Sequence, residues 1–162
     1  MHGLYYGLKE GKQRNNGWVG QIGQEGFLVG SDSGMEEDQS YRDVMRDACL
    51  RCGYEPVDPW LREKVIYKSA GPRWRTNVPI GDFIKRDLED IRKCEVLIAF
   101  LPRLLAGTCM ELFYAKLKGK ITITICEIEN PSPWIVAHSD VILSRIEDLE
   151  EALKGDLTPK KV

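Results

Sequence analysis

Histidine is nearly absent from this chain of 162 residues, with only His2 and His138 present. Zinc sites draw on clusters of His and Cys. No second Cys pair accompanies Cys49-x-x-Cys52, so no metal site is expected. The five cysteines, Cys49, Cys52, Cys94, Cys109 and Cys126, are odd in number and scattered. That fits reduced thiols in a cytosol and argues against a disulfide scaffold. Neither charge dominates: 23 Lys and Arg stand against 25 Asp and Glu, for a formal net charge of -2. Nucleic acid and anionic membranes are recognised by basic patches or stripes. Neither is expected as a partner, and a small molecule is. No apolar run approaches the ~20 residues that cross a bilayer. The first 26 residues hold no apolar run of the kind a signal peptide needs. The expected location is cytoplasmic.

What is present describes an ordinary globular domain. The apolar fraction is 43% and the charged fraction 30%, at a length that supports one sizeable core. Residues 1–25 stand apart, with Gly3, Gly7, Gly11, Gly17, Gly20 and Gly23, two asparagines and three glutamines. This composition predicts a flexible extension, at most a loose hairpin. A single domain is expected over 26–155 and a short tail over 156–162.

Within the domain, Phe27-Leu28-Val29 runs into the small-residue loop Gly30-Ser31-Asp32-Ser33-Gly34, a strand and a tight turn. A helix is predicted from Asp38 to Arg51, with Gly53 as its stop, and a short strand near Glu55-Pro56-Val57. Residues 59–80 lack a clean period and carry Pro59, Pro72 and Pro79 together with Trp60 and Trp74. They read as a long loop, either a substrate lid or plain surface. Asp82 to Lys93 reads as a helix. Val96 to Leu101 reads as a strand buried on both faces. Thr108 to Lys118 is predicted helical, closed by Gly119, and Ile121-Thr122-Ile123-Thr124-Ile125 is a β-branched strand. Strand, helix, strand at this spacing is a βαβ unit with parallel strands. Val141-Ile142-Leu143 is the last predicted strand, and Ile146 to Leu153 the closing helix. The fold class is therefore α/β, an open parallel sheet with helices on both faces.

Ligands of such sheets bind beyond the carboxyl ends of the strands. Two loops leave such ends, Gly30 to Gly34 and Pro102 to Gly107. Glu111 opens the helix after the second. It has two readings. Thr108-Cys109-Met110-Glu111 fits a capping box, with Thr108 as N-cap and Glu111 at N3. Alternatively, Glu111 is a carboxylate held ionised near a helix N-terminus and aimed at the cleft. Asp87 is more unusual. Phe83, Ile84, Leu88, Ile91 and Cys94 form one helical stripe, and Asp87 falls roughly 30° from its centre. A carboxylate on a buried face costs several kcal/mol unless paired or hydrogen-bonded, and such groups tend to mark sites. The alternative is that the helix end splays and Asp87 reaches water.

Other features are more ordinary. Cys49-x-x-Cys52 lies at a helix C-terminus without the upstream strand of a redox motif, which favours core packing. His138-Ser139-Asp140 are sequence neighbours, whereas catalytic triads are assembled from separated residues. They read as a surface turn. Pro131-Ser132-Pro133-Trp134-Ile135-Val136 suits a subunit interface or a buried turn.

Four blocks together carry a family resemblance: Asp87-Leu88-Glu89-Asp90-Ile91, Cys94-Glu95-Val96-Leu97-Ile98-Ala99, Gly107-Thr108-Cys109-Met110-Glu111-Leu112-Phe113-Tyr114-Ala115, and Gly119-Lys120. With Phe27-Leu28-Val29-Gly30-Ser31, the chain over residues 26–145 resembles the nucleoside 2-deoxyribosyltransferase-like family. The resemblance implies a flavodoxin-like fold and cleavage of N-glycosidic bonds. Members either transfer 2-deoxyribose between bases or release the base from deoxynucleoside 5′-monophosphates. It implies Glu111 as nucleophile on the anomeric carbon and Asp87 as the group that assists the leaving base. Substrate-binding positions are expected at Gly30, Ser31, Asp58, Gly107, Thr108 and Ser139, the last donated by a neighbouring subunit, which implies a homo-oligomer, a dimer or larger. No cofactor is expected. Six residues before Glu111, where the family carries a polar residue, stands Leu105. The first loop offers Asp32 where the hydrolases often carry an Arg. Leu105 removes an expected contact to phosphate or base and so also speaks for a domain that has lost catalysis. The absence of an evident phosphate site favours a nucleoside over a nucleotide as substrate, unless Lys68, Arg73 or Arg75 supplies a phosphate contact. A binding or sensor domain without catalysis is the third possibility.

Overall fold

Burial along two strands organises the molecule. In the computed structural model, which describes residues 3–6, 24–30, 38–70 and 79–160, every residue of Val96–Leu101 and Ile121–Cys126 is buried. Strands of that kind must be covered on both faces. The elements run in the order β1 (Gly3–Tyr6), β2 (Gln24–Val29), α1 (Ser40–Arg51), β3 (Tyr54–Val57), α2 (Trp60–Ala70), α3 (Ile80–Lys93), β4 (Val96–Leu101), α4 (Ala106–Leu117), β5 (Ile121–Cys126), α5 (Pro133–Ala137), β6 (Val141–Leu143), a 3₁₀ turn (Ile146–Asp148) and α6 (Leu149–Lys154).

Five strands are parallel, in the order β3-β2-β4-β5-β6. The longest register joins β4 to β5, from Val96 opposite Ile121 to Leu101 opposite Cys126. The expected α/β class and parallel sheet are thus found. Strand β1 is the exception, running antiparallel to both β2 and β4.

Strand alternation sends successive side chains into two cores. On one face Leu28, Ile98, Phe100, Ile123 and Ile125 pack with Met45 and Cys49 of α1 and Leu149 and Leu153 of α6. On the other, Phe27, Val29, Leu97, Ala99 and Leu101 pack with Ile91 of α3, Leu112 and Ala115 of α4 and Ile135 of α5. Gly53 and Gly119, just past the ends of α1 and α4, have φ of 82° and 71°. Glycine tolerates this left-handed backbone at a helix end where other residues do not.

Several expected boundaries shift. Strand β2 begins at Gln24, and β1 lies inside the stretch read as an extension; the rest of residues 1–23 lies outside the described residues. The long loop expected over 59–80 is helical from Trp60 to Ala70, while 71–78, with Arg73 and Arg75, lies outside the described residues. The three prolines that suggested a loop flank this helix, so they bound it instead of breaking it. Cys49 is buried in the core, as its packing reading expected.

Candidate active site

The strand order reverses between β2 and β4, since the chain adds β3 on one side of β2 and β4 on the other. Open α/β sheets bind ligands at such a switch point, outside the carboxyl ends of the strands. Gly30, Asp58 and the segment from Pro102 to Leu105 leave those ends. Helices α1, α2 and α4 begin there.

At the start of α1, Tyr41 lies across Gly30. A Cβ on Gly30 would stand 2.3 Å from the Tyr41 hydroxyl and 2.7 Å from its ring carbons, so only glycine fits beneath this ring. Tyr41 stacks on Phe100 at 4.5 Å and donates to Gln39 Oε1 at 3.2 Å. Burial pushes its hydroxyl pKa up to about 12. The neighbouring Arg42 is 1% exposed. Its Nε donates to Gln39 Oε1 at 2.7 Å, and its Nη1 to Asp58 Oδ1 at 2.8 Å and Leu28 O at 3.4 Å. Its Nη2 is shut off from solvent with no hydrogen-bond partner among the described residues. Asp58 is held from three sides: by Arg42, by Arg46 Nη1 at 2.9 Å on Oδ2, and by the Trp60 backbone N–H at 3.1 Å. The last contact caps the start of α2.

Three buried carboxyls gather beyond this corner. Glu63, in the first turn of α2, is 2% exposed, and Asp87, midway along α3, is 7% exposed. Both lie against Arg62, Glu63 as its sequence neighbour and Asp87 through a contact to its guanidinium. Arg62 reaches across with Nη1 on Asp90 at 2.7 Å and Nη2 on Asp87 at 3.4 Å. Glu111, in the second turn of α4, is half-buried as a residue, but its Oε2 is closed off from solvent. Burial and the charges of Asp87 and Glu111 push Glu63 up to about 9. Burial takes Asp87 up to about 6, against the pull of the Arg62 charge. Burial and then the Asp87 charge raise Glu111 well above the usual carboxylate range, while Arg42 opposes them. Carboxyls shifted this way hold protons near neutral pH, which suits acid–base chemistry.

The capping-box reading of Glu111 is not supported. Helix α4 starts at Ala106 with Leu105 as N-cap and no side-chain cap, because Leu105 turns into the core. That advances the helix by about half a turn and leaves Thr108 as its third residue. Thr108 is fully buried, and its Oγ1 has no hydrogen-bond partner among the described residues. Gly107 is half-buried beside it. Asp87 faces inward as its stripe implied, although Ile84 on the same stripe is 50% exposed.

Within its own chain Ser139 is bonded elsewhere, which does not bear on its expected donation to a neighbouring subunit. The His138-Ser139-Asp140 corner is buried, not a surface turn, because it satisfies two threonines that β5 points inward. Ser139 Oγ bonds Thr124 Oγ1 and Ile135 O, both at 2.7 Å, and Asp140 accepts from Thr122 N and Oγ1 and pairs with Lys116. Lys116 is five residues beyond Glu111, so the corner sits about 7.5 Å further down α4. Ser31 lies outside the described residues.

Sequence reasoning missed Glu63 and Arg42. Glu63 stands between Arg62 and Lys64 and passes for part of a charged face. Yet Trp60, Ile66 and Tyr67 lie at i-3, i+3 and i+4 from it, the same stripe test that flagged Asp87. Arg42 carries no comparable signal. Among the described residues no group of His, Cys, Asp and Glu is arranged to hold a metal ion, and no helix is long and apolar enough to cross a membrane.

No protein-family model matches the chain, and no curated protein matches it. Among solved structures, the chain is similar to the CMP N-glycosidase BcmB of Clostridium botulinum, with 21% sequence identity and a TM-score of 0.50, over 74% of this chain and 94% of that one. At this identity the likeness is one of fold.

Proposed function

We propose that this protein cleaves N-glycosidic bonds, as a nucleoside 2-deoxyribosyltransferase-like enzyme acting on a (deoxy)nucleoside. One observation carries the reading: Asp87 and Glu111, on two helices that pack against the same face of the sheet, both turn carboxyl oxygens into the interior. The solved structure of similar fold is that of an N-glycosidase, which agrees with this chemistry. Glu111 attacks the anomeric carbon as the oxocarbenium-like centre develops, and a glycosyl-enzyme forms. Asp87, its proton retained by burial, protonates the departing base. Arg42 opposes the rise in the proton affinity of Glu111, but burial and the Asp87 charge outweigh it, so Glu111 must give up a proton before it attacks. Gly30, Gly107 and Thr108 line the approach, and Asp58 acts through Arg42. Within its own chain we assign Ser139 to the scaffold.

A second reading, hydrolysis of a 2′-deoxynucleoside 5′-monophosphate, is favoured by Arg42. Its buried Nη2 needs an acceptor, which a phosphate oxygen or a base carbonyl would supply. We also propose a homo-oligomer. Met110, Phe113 and Leu117 form an exposed stripe on α4, next to exposed Trp134 and Val136 of α5, and such aromatic-rich patches suit interfaces. Sedimentation velocity tests this, a monomer at all concentrations being the adverse result.

The deciding experiment is chromatographic base release from a panel of nucleosides and deoxynucleoside monophosphates, with and without an acceptor base. Release by wild type that disappears in Glu111→Gln supports the enzyme, and dependence on the acceptor separates transfer from hydrolysis. Folded protein that releases no base from any substrate leaves a binding or sensor domain.

A further inference from the structure

Arg62 divides its guanidinium between two carboxyls of one helix. Asp87 and Asp90 are three residues apart on α3, a spacing that sets side chains on one helix face about a turn apart. From the first turn of α2, Arg62 reaches both. Its Nη1 lies 2.7 Å from Asp90 Oδ2 and its Nη2 lies 3.4 Å from Asp87 Oδ1. Its Nε is shut off from solvent, so packing between the helices holds the fork in place. An arginine at full strength sets two nitrogens on a single carboxylate. Here the close bond goes to Asp90, and Asp87 receives the long arm. Asp90 is gripped a second time, by Lys93 Nζ at 3.4 Å from Oδ1. The other charged groups around Asp87 are Glu63 on α2, Arg86 on α3 and Glu111 on α4. A cation seated on a carboxyl keeps it ionised, and a cation engaged elsewhere does so less.

We infer that Asp90 is a positioning residue: by taking the closer bond of Arg62, it leaves Asp87 an acid that can protonate the leaving base. This rests on the N-glycosidic reading of the site. In the first half-reaction Glu111, having given up its proton, forms a C–O bond to the anomeric carbon. The C–N bond breaks, its electron pair leaves with the base, and Asp87 gives that base a proton. Asp87 is then a buried carboxylate. Arg62 Nη2, 3.4 Å away, is the cation placed to close on it. In the second half the acceptor, water or an incoming base, bonds to the anomeric carbon. The bond to Glu111 breaks, its electron pair stays with Glu111, and the acceptor's proton passes to Asp87. Glu111 and Asp87 together carry one negative charge at every stage. A fork whose long arm rests on Asp87 serves both of its forms. It is too distant to strip the acid of its proton, yet close enough to steady the carboxylate that follows.

Two variants should move Asp87 in opposite directions. Asp90→Asn keeps the shape and an acceptor for Arg62 Nη1 but removes the competing charge, so Asp87 should hold its proton less tightly. Arg62→Gln removes the cation, so Asp87 should hold its proton more tightly. The first measurement needs no substrate. In a ¹³C titration of the side-chain carboxyls, the Asp87 signal is identified as the one lost in Asp87→Asn. Its midpoint should fall by about one pH unit in Asp90→Asn and rise by about one in Arg62→Gln. The second measurement is kcat/KM for base release relative to wild type. For Asp90→Asn this ratio should be close to unity at about pH 4 and fall to about a tenth near pH 8, where protonated Asp87 is scarce. For Arg62→Gln it should rise with pH. A purely structural role would lower activity by one factor at all pH values. A midpoint that stays in place in Asp90→Asn, or moves the same way in both variants, overturns the inference. So does a ratio independent of pH in an active Asp90→Asn. If wild type releases no base, the N-glycosidic reading fails, while the titration still judges the competition for Arg62.

Discussion

Two buried acidic residues in this molecule sit in opposite situations. Asp140 is surrounded by donors: Lys116, the Thr122 N–H and hydroxyl, and the Lys160 N–H. Asp87 has only a long contact from Arg62, and burial with the Asp90 charge nearby pushes its carboxyl pKa up. A buried charge with a full set of donors supports the fold. A buried carboxyl set against another carboxyl is a cost to the fold, and it persists where the chemistry of the site needs the proton. The contrast separates scaffold from site more sharply than burial alone, since both residues are under 10% exposed.

The comparison breaks most visibly at Glu111. Glu111→Gln is expected to lower base release by about 10³-fold or more, as loss of a nucleophile does, without lowering the thermal midpoint. A mutant that is unfolded or fully active would put Glu111 on the scaffold side. Asp140→Ala is the mirror experiment. It strands Lys116 in the interior and should cost about 3–5 kcal/mol in urea unfolding, while the fraction that remains folded keeps its kcat. Gly30→Ala is expected to destabilise by about 1–3 kcal/mol, because Tyr41, stacked on Phe100, must shift. A loss of activity greater than this loss of stability would mark the Tyr41–Gly30 floor as part of the site.

The pH dependence of stability sharpens the contrast further. Asp87 and Glu63 bind protons more tightly when folded than when unfolded, at about 6 and about 9 against ordinary values near 4. Their stabilising contribution is therefore complete below pH 4 and is lost as pH rises, through about 6 for Asp87 and about 9 for Glu63. The thermal midpoint of wild type should fall across this range, and Glu63→Gln should flatten the upper part by roughly 5 °C. Arg46→Ala is the smallest change. Arg46 is a quarter exposed and shares Asp58 with Arg42, so about 1 kcal/mol is expected from chemical denaturation.

Much of this was legible in the sequence. The unbroken apolar runs of β4 and β5 could only be strands covered on both faces, and Asp87 stood out because it interrupts a stripe. The start of α4 was misread. Thr108 and Glu111 match a capping pattern locally, but burial of Leu105 in the core sets where the helix begins, and that is a tertiary effect. Helix α2 was obscured for a related reason: prolines at both ends of a short segment suggest a loop until capping by Asp58 is seen. The contacts of Arg62 with Asp87 and Asp90 join residues 25 and 28 positions apart on separate helices, and no local pattern encodes them.

Asp58 links two parts of the molecule mechanically. Arg42 and Arg46, one turn apart on α1, grip both of its oxygens, while the same carboxylate pins the first turn of α2, where Glu63 sits. The outer arm of this lever reaches solvent at Arg46 and the inner arm ends at the buried turn that carries Glu63. Amino-acid changes around Arg46 would therefore be felt at the start of α2, giving the surface a mechanical handle on the buried first turn that carries Glu63.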